Sequence, residues 1–353
     1  MTKPSRLNLT LAPQQRFQTI DITGRIAEVG ELLRQHQRAL FCSFHTTAGY
    51  LDQCFSLRLH NRQDLLSQFF WAFHVLFPPG AEYRHDQMDL RTELNEAQKA
   101  IEPRNGDSHL TFISSGMKNC VTYRTDPAMT VYFIELDGKS PASSRERKTT
   151  ILGFDRERVV TRFSVDIPVS RHPIDSVNLA DPGLGLLELV NDLIQRSGIE
   201  HGRVDMSIDS AERNVGLTVN EYETMLIQND LVDVLSNPLR FALIKGLHML
   251  EDPMAIPGKT LSYAKYDVVR ILNSLMEAFN LDQSAFERLI AKMMALPARR
   301  FLKSRRVNFL ATTDNSHDSP QLLRGAYQSP ILIQWKPAEK QTRHIDVQLT
   351  ELY

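Results

Sequence analysis

Three cysteines in 353 residues, Cys42, Cys54 and Cys120, with no CxxC pair, leave no material for a disulfide framework or a structural zinc knot. Buried thiols are the expected state. No stretch approaches the roughly 20 apolar residues of a membrane span, and the opening MTKPSRLNLTLAP has no apolar core of signal-peptide length. The expectation is a cytoplasmic protein without a membrane partner. Net charge is lacking as well: 41 Lys plus Arg stand against 42 Asp plus Glu, so no global field draws the chain to nucleic acid or to acidic lipid. Any basic site must be local. There is no HExxH pair, and the P-loop-like ending Pro257, Gly258, Lys259, Thr260 lacks a glycine at the position of Pro253.

What is present is a length sufficient for two cores and an order of elements that occurs twice. Leu7, Leu9 and Leu11, followed by Phe17 and Ile20, alternate as an edge hairpin that runs into Asp21 or Thr23 as helix cap. Ile22, Ile26, Val29, Leu32 and Leu33 recur at helical spacing, and residues 39–44 form a short strand. A helix with Leu65, Leu66, Phe69, Phe70 and Phe73 stops before Pro78 and Pro79, and the aromatic stripe of Phe69, Phe70, Trp71 and Phe73 reads as core. The order returns as a strand over 160–169, a helix with Leu184, Leu187, Val190 and Ile194 capped by Gly198, a strand with Val204, Met206 and Ile208, and a helix over Tyr222 to Leu235 ended by Pro238. Both halves close with β-rich tails, at 110–113, 129–136 and 149–154 and at 307–311, 331–335 and 345–349. The reading is two α+β modules, 1–155 and 156–353, with a helical insertion at about 238–306 in the second. A basic run from Arg299 to Arg306 reads as a solvated helix end, and Asp314 to Ser319 with His317 as an exposed turn.

Three histidines of the first half stand at element ends: His45 after a strand in FCSFHTTAGY, His85 in the polar EYRHDQMD, and His109 opening a strand in NGDSHLTFI. Neutral imidazole is the commonest nitrogen ligand of zinc, and three such ligands with an open position make a catalytic centre, while three unrelated surface or capping histidines are the plain alternative. Asp86, Asp89 and Asp107 could orient an imidazole or move a proton, and Thr46 and Thr47 could donate hydrogen bonds, though each also suits a turn or cap. Where the first half has HTTAG the second has DSAERNVGLT, offering Asp209 and Glu212 but no imidazole.

The blocks FHTTAG, YRHD, GDSH and VYFIELDG, with Arg145 and Arg147 following, resemble in their order the YjbQ-like family, some members of which are described as secondary thiamine-phosphate synthases. The likeness spans nearly all of residues 6–154. In the second half SGIEHGRVDMSI, VGLTVNEYE and RGAYQSPILIQW resemble the same family, the last carrying its glycine-x-aromatic-glutamine signature as Gly325, Tyr327 and Gln328. The first half departs from it, with TYRTDPAMTVYF in place of that signature and Cys54 within the usual acidic stretch. The resemblance implies a β-sandwich core, a metal set of His45, His85 and His109, assembly as a homo-oligomer, and a pocket that draws on both halves through Gln328. On this reading the chain is a metal-dependent enzyme, zinc its expected cofactor, acting as a transferase or hydrolase on a small phosphorylated molecule. Arg84, Lys118, Arg124 and Gln328 would bind substrate, and Asp86, Asp107 and Thr46 would serve the chemistry. The rival is a non-catalytic metal- or ligand-binding assembly protein.

Overall fold

The computed structural model describes residues 3–126, 128–139, 145–236, 241, 245, 302, 304–314 and 317–353. The insertion helices, Pro238, the Pro257 to Thr260 segment, and Arg299, Arg300 and Lys303 lie outside the described residues. In chain order the first half carries β1 (Ser5–Leu11), β2 (Gln18–Asp21), α1 (Ile22–Arg25), α2 (Ala27–Gln35), β3 (Arg38–Ser43), β4 (Ala48–Gly49), α3 (Gln53–Arg58), α4 (Gln63–Leu76), α5 (Glu96–Ile101), α6 (Gly106–Ser115), β5 (Cys120–Arg124), β6 (Tyr132–Glu135) and β7 (Arg147–Phe154). The second carries β8 (Glu157–Pro168), β9 (Asp175–Asn178), α7 (Leu186–Ser197), β10 (His201–Ile208), β11 (Val215–Asn220), α8 (Leu231–Ser236), β12 (Arg306–Asp314), β13 (His317–Leu323), β14 (Ser329–Gln334) and β15 (Thr342–Leu352).

The chain is α+β, with antiparallel sheets whose strand orders repeat. The first half forms β1-β7-β3-β5 and β2-β6-β4; the second forms β8-β15-β10-β12, extended by β13, and β9-β14-β11. Replacing each strand of the first half by its counterpart in the second converts one pair of sheets into the other. In each half the two sheets enclose a core closed by a helix. Phe41, Val121 and Ile151 meet Ile20, Phe133 and the α2 residues Val29 and Leu33 in the first; Val204, Phe309 and Val347 meet Leu217, Leu332 and the α7 residues Val190 and Ile194 in the second. Alternation of side chains in β3 and β7 sends Leu40, Leu152 and Phe154 to the opposite face, where they pack with Leu310 and Leu352. Both faces of the four-stranded sheet are therefore buried. The caps follow local chemistry: the Asp21 carboxylate accepts the Gly24 amide at 2.7 Å, and Gly198 ends α7 at φ 66°, a left-handed conformation that glycine adopts without cost.

By contact density the described chain forms two compact units that cut across the repeat. One comprises 1–66, 116–222 and 302–353 and holds all four sheets; the other comprises 67–115 and 223–301 and is helical where described. In the second unit Phe70 is buried and Trp71 exposed, so only part of the aromatic stripe is core. Three sequence expectations are corrected. β1 and β2 are not a hairpin but pair with β7 and β6 in different sheets. Residues 110–113 belong to helix α6, buried on every side, where apolar periodicity does not distinguish a helix from a strand. Cys42 and Cys120 stand directly opposite in β3 and β5 with their sulfurs joined, and Cys54 is exposed, so the three are not separate buried thiols.

Candidate functional site

In the first unit β3 delivers Phe44, His45, Thr46 and Thr47 into the turn before β4. His45 Nε2 accepts the Lys148 backbone N–H at 2.7 Å, and Arg147 Nη1 lies 3.4 Å from Nδ1. Burial first, then the charges of Arg147, Arg145 and Lys148, depress the imidazole to a pKa of about 3, so the ring is neutral. A neutral ring that accepts at Nε2 carries its proton at Nδ1. The Nδ1–H and the Arg147 guanidinium are then two donors facing one another. The rest of that guanidinium is engaged: it grips Glu135 through Nε, and its Nη2 donates to Glu135 Oε1 at 2.8 Å, the Asp137 carbonyl at 2.9 Å and Thr47 Oγ1 at 3.2 Å. Glu135 is wholly buried, and that burial pushes its pKa up against the pull of Arg147.

The second half closes over this strand end. Gln328 Nε2 donates to the carbonyls of Ser43 at 3.0 Å and His45 at 2.8 Å, while its Oε1 accepts the Gly325 amide at 2.9 Å. A side chain at 325 would collide with the Phe44 carbonyl oxygen, which explains the glycine physically. Asn220 Nδ2 holds the Thr46 carbonyl at 3.0 Å. Tyr327, between the glycine and the glutamine, is exposed.

The second half contains the same clamp with exchanged partners. Arg343 Nε donates to Gln334 Oε1 at 3.1 Å, its Nη2 to the Lys336 carbonyl at 2.6 Å, and its Nη1 to Glu212 Oε2 at 2.7 Å; the His344 amide donates to Glu212 Oε1 at 3.0 Å. Gln334 ends β14 as Glu135 ends β6, and Glu212 accepts the His344 amide as His45 accepts that of Lys148. Arg305, from the basic run, donates to the Asp209 and Glu212 carbonyls.

His85 and His109 belong to the second unit. His85 is fully buried, with Nδ1 2.9 Å from Glu223 Oε2 and Nε2 3.1 Å from Asn105 Oδ1. Its ring centroid lies 5.0 Å from that of His109, edge to face. The backbone amides of Arg84 and His85 both donate to the Asp230 carboxylate, whose pKa burial raises, and Arg84 Nη1 donates to Asn229 at 2.7 Å. Burial pushes Glu223 up, but hydrogen bonds from His85 and from the Met225 and Leu226 amides outweigh it and hold the carboxyl below its usual range. Asp86 caps α6, accepting the Gly106 amide at 3.0 Å, and Asp107 is buried in its first turn.

His45 thus stands with Thr46 and Gln328 in one unit, and His85 with His109 in the other. Lys118 and Arg124 line a common cleft of the first unit, and Arg84 belongs to the second. Among the described residues no group of three or more His, Cys, Asp or Glu is disposed to hold a metal ion. As they stand His45 and His85 do not fit a divalent cation: three cations flank His45, and both ring nitrogens of His85 already meet partners. Sequence reasoning had Arg147 and Glu223 only as members of motif blocks, and the pairings that give them roles span 12 and 138 positions.

No family model matches the sequence, and no curated protein matches it. Among solved structures the chain is similar to a YbjQ-like protein of unknown function from Sulfolobus solfataricus P2 (16% identity, 56% of this chain and 99% of the other, TM-score 0.27). It is also similar to a hypothetical protein from Aeropyrum pernix K1 (19%, 43% and 99%, TM-score 0.28) and to an uncharacterized conserved protein of the YjbQ family from Clostridium acetobutylicum (17%, 41% and 97%, TM-score 0.27). At these TM-scores the likeness carries neither site nor activity over to this chain. Among the described residues no helix is long and apolar enough to cross a membrane.

Proposed function

We propose that the chain is a duplicated YjbQ-like protein that binds a small phosphorylated molecule at the end of β3 in the first unit. One observation carries this reading: the neutral His45 ring and the Arg147 guanidinium turn donors toward each other beside Arg145 and Lys148, a setting that an anionic oxygen would complete. Thr46 would add a hydroxyl, and Gln328 and Asn220 fix the strand end that positions these groups. A bound phosphate offsets the surrounding positive charge and so raises the proton affinity of His45, which makes the imidazole a candidate proton carrier in a transferase of the thiamine-phosphate-forming type.

Calorimetric titration with inorganic pyrophosphate tests the reading. The wild type is expected to bind, and His45→Gln and Gln328→Ala to weaken binding by roughly tenfold or more, the scale of one charge-assisted hydrogen bond or a misplaced loop. Unchanged affinity in both variants would sink it. A non-catalytic assembly protein would turn over no phosphorylated substrate even where it binds one, while elemental analysis with about one transition ion per chain, lost on His45→Ala, would restore the metal-centred reading.

A further inference from the structure

Apart from the His45 strand end, the first unit contains a cleft of about 430 Å³, within the range of small-ligand sites. Five Lys or Arg side chains line it against three Asp or Glu, together with Gln53, Thr122 and Asn308. Its floor is rigid and built. Arg203 is buried and donates through Nε to both Asp205 oxygens at 3.0 and 3.1 Å, and through Nη1 to Thr122 at 3.1 Å and Glu157 at 3.2 Å.

One pairing in the wall is unfavourable. Arg38 and Arg124 occupy directly opposed positions of β3 and β5, where like charges repel. Glu157 reaches Arg38 at 3.0 Å but is shared with Arg203, and the Arg124 guanidinium meets no carboxylate among the described residues. Gln53 engages the Arg124 backbone and the Met129 sulfur rather than the guanidinium. Two arginines from opposed strand positions thus line one polar cavity, and the carboxylate that reaches one of them is shared with Arg203.

We infer that this cleft is a second anion site, which takes a compact phosphomonoester whose phosphate sits between Arg38 and Arg124 and whose polar body meets Gln53, Thr122 and Asn308. Guanidinium forks match phosphate oxygens two at a time, and the surplus of two positive charges in the lining suits a dianion. The site is independent of the one proposed at His45.

The test uses the full chain and two probes, inorganic phosphate and glycerol 3-phosphate, followed by thermal melting and calorimetry in low salt. Both probes are expected to raise the wild-type melting midpoint. Arg124→Gln and Arg38→Gln should each weaken binding tenfold or more, and ligand-free Arg124→Gln should melt higher than the wild type because the repulsion is gone. His45→Gln should keep the binding that depends on Arg124. The inference is overturned if ligand-free Arg124→Gln melts lower than the wild type, or if phosphate stabilises it as much as the wild type. It is equally overturned if His45→Gln abolishes all phosphate binding while Arg124→Gln leaves it intact, since that assigns the anion to the strand end alone.

Discussion

The two arginine clamps of the first unit are built on one plan and balanced in opposite ways. Around Arg147 the carboxylate is Glu135, at a strand end, and the group in the turn is a neutral imidazole; around Arg343 the strand end is the neutral Gln334, and the turn supplies the carboxylate of Glu212. Each arginine keeps one anionic partner, so a buried guanidinium is never left uncompensated. What changes is where the anionic partner sits, and only the first arrangement leaves a half-buried ring whose Nδ1–H meets no acceptor among the described residues. In the second half the turn supplies the anion, and Glu212 stands where the first half has its imidazole.

The largest break in this comparison is removal of an arginine. Arg147→Met strands Glu135, which is wholly buried, and should cost about 3–5 kcal/mol in chemical denaturation. Arg343→Met should cost less, about 1–3 kcal/mol, because the Glu212 side chain keeps 11% exposure and the neutral Gln334 tolerates the loss. Equal losses would mean that the two clamps do not differ as described.

A double-mutant cycle sharpens the exchange. Glu135→Gln alone should destabilise by about 1–3 kcal/mol, and adding His45→Glu, which rebuilds the second clamp in the first half, should recover part of it, with a coupling of about 0.5–3 kcal/mol. Strict additivity would refute the equivalence of His45 and Glu212.

A further effect is one of pH. The folded state holds His45 near a pKa of about 3, below the ordinary value of 6.5, so the unfolded chain takes up a proton first as pH falls. Its contribution is intact above pH 6.5 and drains away between 6.5 and about 3. The stability of the wild type relative to His45→Gln should therefore decline over that interval; a flat difference would place the ring in a different setting.

Much of the fold was legible because it is local. Alternation located β3, β8, β10, β12, β14 and β15, prolines and glycines marked the ends of α4 and α7, and the doubled order of elements anticipated the doubled strand order. The misread parts are those decided by distant partners. The strand assigned after His109 is a helix because α6 is buried all round, and the first two strands were paired with one another because a short connection suggests a hairpin when the true neighbours lie more than 100 residues away. Of the candidate residues, Gln328 holds the His45 backbone carbonyl, Asp86 accepts the first amide of a helix, and His85 sits in a buried pair with Glu223. The clamp itself was invisible, since nothing in ELDG or in the arginines that follow announces that Arg147 reaches back to Glu135 and sideways to His45.

The inner face formed by Leu40, Leu152 and Phe154 has a consequence for synthesis. Its covering residues, Leu310 and Leu352, are contributed by strands made late in translation. While the ribosome completes the intervening stretch, the amino-terminal sheet waits with an oily surface bare, and the backbone at His45 waits for Gln328. During that interval the nascent polypeptide is open to chaperones and proteases, and a chain cut short before β12 would expose that apolar face rather than form a smaller working protein.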